Sequence, residues 1–288
     1  MYDFVYSITS HENVECLADL ILNIKKYNKN NKFLIVIHGN NYIKQNFINT
    51  FDYVILNEQV TEKGKPCWQI TDAHIQNFLL LQKKEIQFKT IVLLASNCMF
   101  TQQIPNNLYK DKLIKSLEDP IDFNCDHTVD SRQNWWWPTV YEHTAYVNFF
   151  KHIGMRGGPH EGCYFSYELF DNITKFILKH KIDDIYKTKL KTYWPYEETV
   201  IPSLEYYFTG HVKQGIIYKA WQDPIDIYPT VENFNKTLNW WRVPEADLNF
   251  KKEIQMFYMS ECAYFWGVKR VPRDMNHPYR KYINSLPE

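Results

Sequence analysis

The sequence lacks the short motifs that identify several large enzyme classes. It contains no glycine-rich phosphate loop ending in Gly-Lys-Ser or Gly-Lys-Thr, no Gly-x-Gly-x-x-Gly after the first predicted strand, no Gly-x-Ser-x-Gly and no His-Glu-x-x-His. Each of these motifs supplies the groups on which one kind of chemistry depends. Their absence argues against kinases, dinucleotide-dependent enzymes, serine hydrolases and zinc proteases.

Paired cysteines are also missing. The six cysteines are scattered without any Cys-x-x-Cys spacing, so the sequence predicts neither a zinc ribbon nor a thioredoxin-type redox site. We expect buried free thiols instead. They belong to Cys16, Cys67, Cys98, Cys125, Cys163 and Cys262.

The chain has neither an excess of charge nor a long apolar run. Thirty-three basic and 33 acidic residues give a formal net charge of zero, which argues against a protein that coats nucleic acid. No apolar run approaches the roughly 20 residues that cross a bilayer, and residues 1–15 lack the features of a signal peptide. We expect a soluble, cytoplasmic protein without stable membrane insertion; an anchor outside this chain stays an open alternative.

Aromatic side chains are what the sequence has in excess. Phe, Trp and Tyr make up 17% of the residues, with 9 Trp and 21 Tyr among them. Aromatic faces stack on sugar rings and bases, but they also fill protein cores. The excess therefore favours a sugar- or base-binding protein only where such side chains line a cleft.

Hydrophobic periodicity predicts an α/β fold with a mostly parallel sheet. Runs rich in β-forming residues alternate with segments of helical spacing through the first hundred residues, and the last run is apolar throughout. This alternation is typical of a doubly wound, nucleotide-binding half. The β-rich runs cover 4–10, 32–40, 51–58 and 89–100, and the helical segments cover 12–27 and 70–85.

The remainder of the chain predicts an acceptor half within the same domain. Residues 105–161 are irregular and acidic, which indicates a loop-rich surface; 162–180 predict a strand and a helix. A helix is expected over 197–208 despite Pro202, and another over 251–274 that runs into a basic stretch. We therefore predict one domain, with a nucleotide half over about 1–105 and an acceptor half over about 106–288.

The strands of the first half are not followed by an Asp-x-Asp metal motif. The last of them ends in Asn97 and Cys98 instead. A diphosphate bound without metal needs cationic side chains, and Lys269, Arg270 and Arg273 stand near the end of the chain. We expect no metal cofactor; a solvated basic turn is the alternative interpretation of these cations.

Two adjacent carboxylates begin the predicted helix in "WPYEETVIPSLEYYF", residues 194–208. Neighbouring side chains on a helix point about 100° apart, so one of Glu197 and Glu198 faces a cleft and the other faces solvent or a cation. One carboxylate in a cleft is suited to general-base catalysis. Alternatively, both glutamates only favour the dipole of the helix.

Several segments, in order along nearly the whole chain, resemble one glycosyltransferase family. Pro195 precedes the glutamates, and Ser203 follows Glu198 by five residues, as a Thr or Ser follows that family's catalytic Glu. The other matching segments are "VYSITSHENVECLADLIL", "LIVIHGN", "CWQITDAHIQNFLLL", "IVLLASNCMFT", "EGCYFSYELFDNITKFI" and "FWGVKRV". Together they resemble the core-2/I-branching β-1,6-N-acetylglucosaminyltransferases and their peptide O-xylosyltransferase relatives.

The resemblance implies a GT-A-like fold and metal-independent, inverting transfer of a sugar from a nucleotide diphosphate, such as a UDP-sugar, to a glycan hydroxyl. It implies Glu198 as the general base, with Glu197 as the second choice, and Lys269 and Arg270 as the groups that stabilise the diphosphate. As donor-binding residues it implies Ser7 and His11 in the first segment, and Ser96. It also implies Asn40, at a position where the family usually has Asp. Their places after predicted parallel strands also favour His11 and Ser96.

An acceptor site is predicted around three adjacent tryptophans. Trp135, Trp136 and Trp137 lie near acidic and basic side chains, and sugar sites combine aromatic platforms with hydrogen-bonding groups. We predict Asp126, Arg132 and Trp136 as acceptor-binding residues, and the resemblance adds Gly162. A weaker set of the same type is Trp240, Trp241 and Arg242.

Two other functions stay open. A metal-dependent glycosyltransferase of the same fold would take its ligands from the acids Asp122, Asp126 and Asp130. A non-catalytic carbohydrate-binding protein would use the aromatic side chains alone. A glycosidase is disfavoured, because it needs two opposed carboxylates at a set distance, which adjacent glutamates are ill suited to supply.

Overall fold

A computed structural model describes the fold over most of the chain. The described residues are 1–11, 13–59, 68–106, 108, 143–156, 160–187, 196–210, 216–218, 266–269 and 271–287. The strands are β1 (Tyr2–Ser10), β2 (Phe33–Gly39), β3 (Val54–Asn57), β4 (Phe88–Ala95), β5 (Met99–Phe100), β6 (Tyr164–Ser166), β7 (Ile217–Tyr218) and β8 (Gly267–Val268). The helices are α1 (Val14–Lys26), α2 (Asn41–Asn46), α3 (Trp68–Lys83), α4 (Thr144–Lys151), α5 (Tyr167–His180), α6 (Ile182–Lys187), α7 (Glu197–Thr209) and α8 (Pro278–Ser285).

These elements form two compact units whose segments interleave along the sequence. Unit 1 comprises Met1–Glu12, Lys32–Leu94 and Asp119–Val212, and unit 2 comprises Asn13–Asn31, Ala95–Glu118 and Lys213–Glu288. The predicted single domain with halves at about 1–105 and 106–288 stays a prediction.

Unit 1 is built on a five-stranded, mostly parallel sheet in the order β3-β2-β1-β4-β6. β1 and β3 both run parallel to β2, and β6 pairs antiparallel with β4. Helix α3 packs against the first three strands, and α5 follows β6 directly. The predicted α/β class with a mostly parallel sheet and flanking helices is confirmed.

The core of unit 1 follows from the apolar strands and the inner faces of the helices. Sixteen-residue α3 contributes Ile75, Phe78 and Leu81 at helical spacing, and these side chains pack against the strands and against α5. Burial of such side chains is the main force that holds the sheet and helices together. Other members of this core are Val5, Leu34, Val36, Ile91, Leu93, Tyr146, Phe150, Phe165, Phe170, Ile173, Tyr196, Val200 and Leu204.

Unit 2 contains a small three-stranded sheet in the order β5-β8-β7 and the helices α1 and α8. Helix α1 begins where the side chain of Asn13 accepts a hydrogen bond from the backbone N–H of Cys16, and α8 begins after His277 with a proline at its first position. The core of this unit contains Met99, Val268, Val271, Tyr279, Ile283 and Leu286.

Two sequence-based expectations about these elements were wrong. The apolar run 89–100 is not one strand, because the N–H of Cys98 turns back to the carbonyl of Ala95 and separates β4 from β5. The stretch 105–161 is not wholly irregular, because α4 lies within it. Most of the helix predicted over 251–274 lies outside the described residues.

The described residues bear on two further expectations, buried free thiols and the absence of a membrane-spanning helix. Cys16, Cys98 and Cys163 are buried free thiols, as predicted, and the other three cysteines lie outside the described residues. Among the helices of the described ranges, none is long and apolar enough to span a bilayer.

Candidate functional site

The two adjacent glutamates form the first turn of α7. Glu197 is buried, with 4% of its surface exposed, and Glu198 is partly exposed. The residue that precedes the helix, Tyr196, makes no side-chain capping bond, so the acidic side chains are the first-turn groups that favour the helix dipole. Of the two, Glu198 is the carboxylate that solvent reaches.

Hydrogen bonds from two other helices hold this first turn in place. The hydroxyls of Tyr146 on α4 and Thr199 on α7 are 2.8 Å apart, and Thr199 also donates to the carbonyl of Tyr196 at 3.1 Å. The hydroxyl of Tyr196 donates to Asp183 on α6 at 2.7 Å. These bonds hold the backbone of the turn that carries Glu198, which places its carboxylate near one position, as a catalytic group requires.

Pro202 lies inside α7 and affects the same turn. A proline has no N–H, so the carbonyl four residues earlier, that of Glu198, receives no hydrogen bond from it. The helix nevertheless continues to Thr209, as predicted from the sequence. The hydrogen bond that the proline does not form would have been made to Glu198.

Glu198 lies beside a buried histidine and a second glutamate. One ligand atom from each of His160, Glu161 and Glu198 lies within 4.8 Å of the others. The Nδ1 atom of His160 is 3.4 Å from a carboxylate oxygen of Glu161, and the two side chains are 2% and 4% exposed. We call these three residues the His-Glu-Glu cluster.

Gly162 brings the His-Glu-Glu cluster to one edge of the sheet of unit 1. Its backbone has φ of 81°, a conformation that glycine adopts without strain, and its N–H donates to the carbonyl of Leu93 at 2.6 Å. His160 and Glu161 therefore lie next to the carboxyl end of β4. Ligands of doubly wound sheets bind at the carboxyl ends of the strands, where the strand order changes direction, as it does between β1 and β4.

Ser203 and Tyr206, on the same helix as Glu198, hold the chain that leads to this cluster. The hydroxyl of Ser203 accepts from the backbone N–H of Arg156 at 2.8 Å and donates to the carbonyl of Arg156 at 3.2 Å. The guanidinium of Arg156 lies 3.9 Å from the ring centre of Tyr206. We call Ser203 and Tyr206 the α7 clamp.

A chain of buried polar side chains lies under the same edge. The amide of Asn57 donates to Asn77, Asn77 donates to the hydroxyl of Ser7, and Ser7 is 2.8 Å from Nδ1 of His74. The Ser7 hydroxyl that accepts from Asn77 can either donate to Nδ1 of His74 or accept from it, according to the tautomer of the ring. The second ring nitrogen of His74 is Nε2. This Nε2 atom has no hydrogen-bond partner within the described ranges.

Two of the histidines at this edge, His74 and His38, have a pKa below the ordinary value and are neutral at pH 7. Burial lowers the pKa of His74 well below 6.5, and the nearby His160 and His38 lower it further. Burial likewise lowers the pKa of His38, the penultimate residue of β2. Neither ring nitrogen of His38 has a hydrogen-bond partner in the part of the chain that the structure describes.

The predicted donor residues of unit 1 have local roles in the structure. Ser7 is fully buried, with its hydroxyl between His74 and Asn77. Asn40 caps α2 by accepting from the N–H of Ile43, and its amide donates to the carbonyl of His11, whose ring is exposed. A donor-binding role for Ser7, His11 and Asn40 stays a prediction.

The other predicted site residues divide between unit 2 and the undescribed ranges. Ser96 is buried and Lys269 is partly buried, both in unit 2. Gly162 supports the turn at the sheet edge, as described above. Arg270, Asp126, Arg132 and Trp136 lie outside the described residues, as do Asp122, Asp130, Trp135, Trp137 and the set Trp240, Trp241 and Arg242.

The residues around Glu198 were not predicted from the sequence. His160 and Glu161 directly precede Gly162, two residues before β6 begins at Tyr164. This His-Glu pair beside a glycine was the local sequence feature that could have indicated a site. His38 and His74 lie inside segments quoted for the resemblance, but nothing in their spacing indicates that they meet. The arrangement offers one exposed carboxylate for proton transfer and an imidazole-carboxylate set of the kind that binds metal ions.

Comparisons with known proteins do not add to this description. No protein-family model matches the sequence, and no curated protein matches it at a significant level.

Proposed function

We propose that the protein is an inverting glycosyltransferase that moves a sugar from a nucleotide diphosphate, such as a UDP-sugar, to a hydroxyl of a glycan. The observation that carries the proposal is the position of Glu198. It is a partly exposed carboxylate on a fixed helical turn, beside His160 and Glu161, and this cluster adjoins the carboxyl end of a central strand in a mostly parallel sheet. The order of the sequence segments that resemble the core-2/I-branching family supports the same function.

Glu198 is the general base in this mechanism. Its carboxylate takes the proton from the acceptor hydroxyl while that oxygen forms a bond to the anomeric carbon of the donor sugar. The bond from the anomeric carbon to the phosphate oxygen breaks on the opposite face, so the configuration inverts. The α7 clamp and the Tyr146–Thr199 bond keep the carboxylate oriented during this step.

The leaving diphosphate gains negative charge, and we assign Lys269 and Arg270 to stabilise it. Positive side chains serve this purpose without a metal ion, which is how the resembled family works. Glu197 is buried at the same turn and remains the second choice for the base.

The first experiment is a screen of nucleotide sugars for thermal stabilisation of the full chain, with and without Mn²⁺. A ligand that binds the native state raises the melting temperature, and we expect one nucleotide sugar to do so without Mn²⁺. Transfer of its sugar to glycan acceptors is then measured in EDTA, and transfer is expected to persist.

Other outcomes of this experiment favour other functions. Transfer that stops in EDTA and returns with Mn²⁺ supports a metal-dependent glycosyltransferase. Glycan binding without any stabilisation by nucleotide sugars supports a carbohydrate-binding protein and contradicts the proposed function.

A further inference from the structure

We propose that the His-Glu-Glu cluster is a binding site for Zn²⁺ and that the bound ion inhibits the protein. The binding site follows from the geometry alone, and the inhibition rests on the proposed function of Glu198. The ion is a regulatory ligand here, since the proposed transfer proceeds without a metal.

The chemistry of the three side chains selects the ion. One imidazole and two carboxylates are ligands that Zn²⁺ accepts readily, with bond lengths of about 2.0–2.2 Å. Mg²⁺ and Ca²⁺ prefer sites made of oxygen atoms alone. The histidine of the cluster therefore favours a transition metal over the more abundant hard cations.

The distances are close to those of a zinc site. Ligand atoms on one tetrahedral Zn²⁺ are separated by about 3.4 Å, and His160 Nδ1 is 3.4 Å from the carboxylate of Glu161. The third ligand atom, from Glu198, lies within 4.8 Å of both. A movement of the partly exposed Glu198 carboxylate by roughly one ångström or more is needed if its distance to the other two ligand atoms is near the 4.8 Å limit.

A buried side chain from another helix also points to a ligand at this place. His74 is 1% exposed, and its ring centre is 6.1 Å from that of His160. Its Nδ1 faces Ser7, so its Nε2 lies on the other side of the ring, and this nitrogen has no hydrogen-bond partner within the described ranges. In the tautomer that carries its proton on Nε2, His74 is a hydrogen-bond donor. Metal-ligating carboxylates are held by donors of this kind.

Charge and access fit a cation as well. Two carboxylates within 4.8 Å of each other repel when both are ionised, and a divalent ion between them offsets that repulsion. His160 and Glu161 are buried while Glu198 is partly exposed, so the ion enters on the side of Glu198. Protein ligands on three sides leave a fourth position for water, as in many zinc sites.

Inhibition follows from the shared residue. Zn²⁺ bound to one oxygen of the Glu198 carboxylate withdraws negative charge from the group and occupies the face on which the acceptor hydroxyl would bind, so a zinc-bound Glu198 is a much weaker base. Mg²⁺ at the same concentration is expected to leave transfer unchanged.

The test is a calorimetric titration of the metal-free full chain with ZnCl₂. We expect one ion per chain, and we expect His160→Gln and Glu161→Gln each to weaken binding at least tenfold, the size of effect that lost ligands or their supports have. His152→Gln and Glu168→Gln, which alter an exposed histidine and an exposed glutamate, are the matched controls and should bind Zn²⁺ like the natural chain. Equal affinity in all four variants would overturn the site.

Zn²⁺ could bind to cysteine instead of the His-Glu-Glu cluster. X-ray absorption of the zinc-loaded natural chain distinguishes these two binding sites by their ligand atoms. Nitrogen and oxygen ligands at about 2.0–2.2 Å support the cluster, whereas sulfur at about 2.3 Å refutes it. This measurement needs no variant, so it decides the question even if His160→Gln or Glu161→Gln does not fold.

The two proposals fail separately. Zinc binding that depends on His160 in a chain without transferase activity supports the site and rejects the proposed function. Transfer in EDTA that micromolar Zn²⁺ does not slow, in a chain that binds no Zn²⁺, supports the function and rejects the site.

Discussion

Two regions of buried polar side chains, one in each unit, differ in their hydrogen bonding. In unit 2, both polar groups of the Asn23 side chain bond to the backbone of Phe100, at 2.9 and 2.6 Å. In unit 1, neither ring nitrogen of His38 has a hydrogen-bond partner within the described ranges, and the same holds for Nε2 of His74. A buried polar group without a bond costs about 1–3 kcal/mol.

This difference indicates which of the two polar regions is built for stability. The Asp19 carboxylate of unit 2 accepts from Arg280 and Asn284 and so ties α1 to α8. Unit 2 also contains buried oxygens without a hydrogen-bond partner among the described residues, on Ser96 and Asn97. At the carboxyl edge of unit 1 the atoms without such a partner are ring nitrogens of His38 and His74, and exceptions of this kind in native proteins call for an explanation other than packing. We propose that a ligand bound at this edge is that explanation.

The largest stability effect is expected in unit 2, from Asp19→Ala. The change leaves Arg280, whose side chain is fully buried, without its ion partner. Loss of one member of a buried pair costs about 3–5 kcal/mol. Urea unfolding followed by circular dichroism measures it; a loss below about 1 kcal/mol would mean that this region is no better bonded than the other.

A smaller loss is expected in unit 1 from Ser203→Ala, which removes half of the α7 clamp. The backbone N–H and carbonyl of Arg156 lose their hydroxyl partner in a fully buried place, at about 1–3 kcal/mol. Ser285→Ala, which removes an exposed hydroxyl bonded to one carbonyl, is the control and should change stability by less than about 0.5 kcal/mol. Equal effects of the two changes would contradict the clamp.

Acid should destabilise unit 1 through its neutral histidines. Burial lowers the pKa of His38 below 6.5, so the unfolded chain binds a proton near pH 6.5 that the folded protein does not bind until lower pH. The free energy of unfolding therefore falls as the pH falls below about 6.5, by up to about 1.4 kcal/mol per pH unit for each such ring.

In the His38→Leu variant, the free energy of unfolding should fall less between pH 7.5 and pH 5.5 than in the natural chain, because one of the neutral rings is gone. Denaturant unfolding at both pH values measures the difference. The exposed His152 supplies the matched control, His152→Gln, whose profile should follow the natural chain. If His38→Leu shows the full dependence, His38 is not held neutral.

The smallest effect is expected from a surface ion pair of unit 1. Lys89 donates to Asp3 at 2.7 Å and lowers the pKa of that carboxyl, but the lysine side chain is 57% exposed. Lys89→Ala should cost about 0.2–1 kcal/mol at pH 7. Since the pKa of Asp3 is lowered by folding, this contribution is present above pH 3.8 and disappears as the pH falls through the folded value. Unfolding at pH 7 and pH 2.5 checks both points.

The fold was predictable where local pattern and tertiary structure agree. The alternation of apolar runs and helical spacing predicted β1, α1, β2, β3 and α3 and the strand-helix pair β6 and α5, but it did not predict α2. It did not predict that β4 ends at Ala95, because the apolar run continues beyond that residue. The next strand, β5, belongs to the three-stranded sheet because Met99 pairs with Val268, a contact that the local sequence does not reveal. Nor did it predict α4, whose apolar residues Tyr146, Val147 and Phe150 follow a long irregular stretch.

The candidate site was predictable only in part, for a physical reason. Two carboxylates at a helix start are visible in the sequence, and the helix angle explains why Glu197 is buried and Glu198 is reached by solvent. His160 and Glu161 come close to Glu198 because of the turn at Gly162 and because the α7 clamp holds Arg156. The clamp joins residues far apart in the sequence, so no local pattern predicts it. The predicted roles of Lys269 and Arg270 stay predictions.

The most direct test of the central claim is the rate of sugar transfer by Glu198→Gln, measured in EDTA with the nucleotide sugar that stabilises the natural chain. Glutamine keeps the size of the side chain but accepts no proton, so the rate should fall by about 10²–10⁴-fold while the donor still raises the melting temperature. Glu168→Gln should transfer at the natural rate. An unchanged rate in Glu198→Gln would contradict the account.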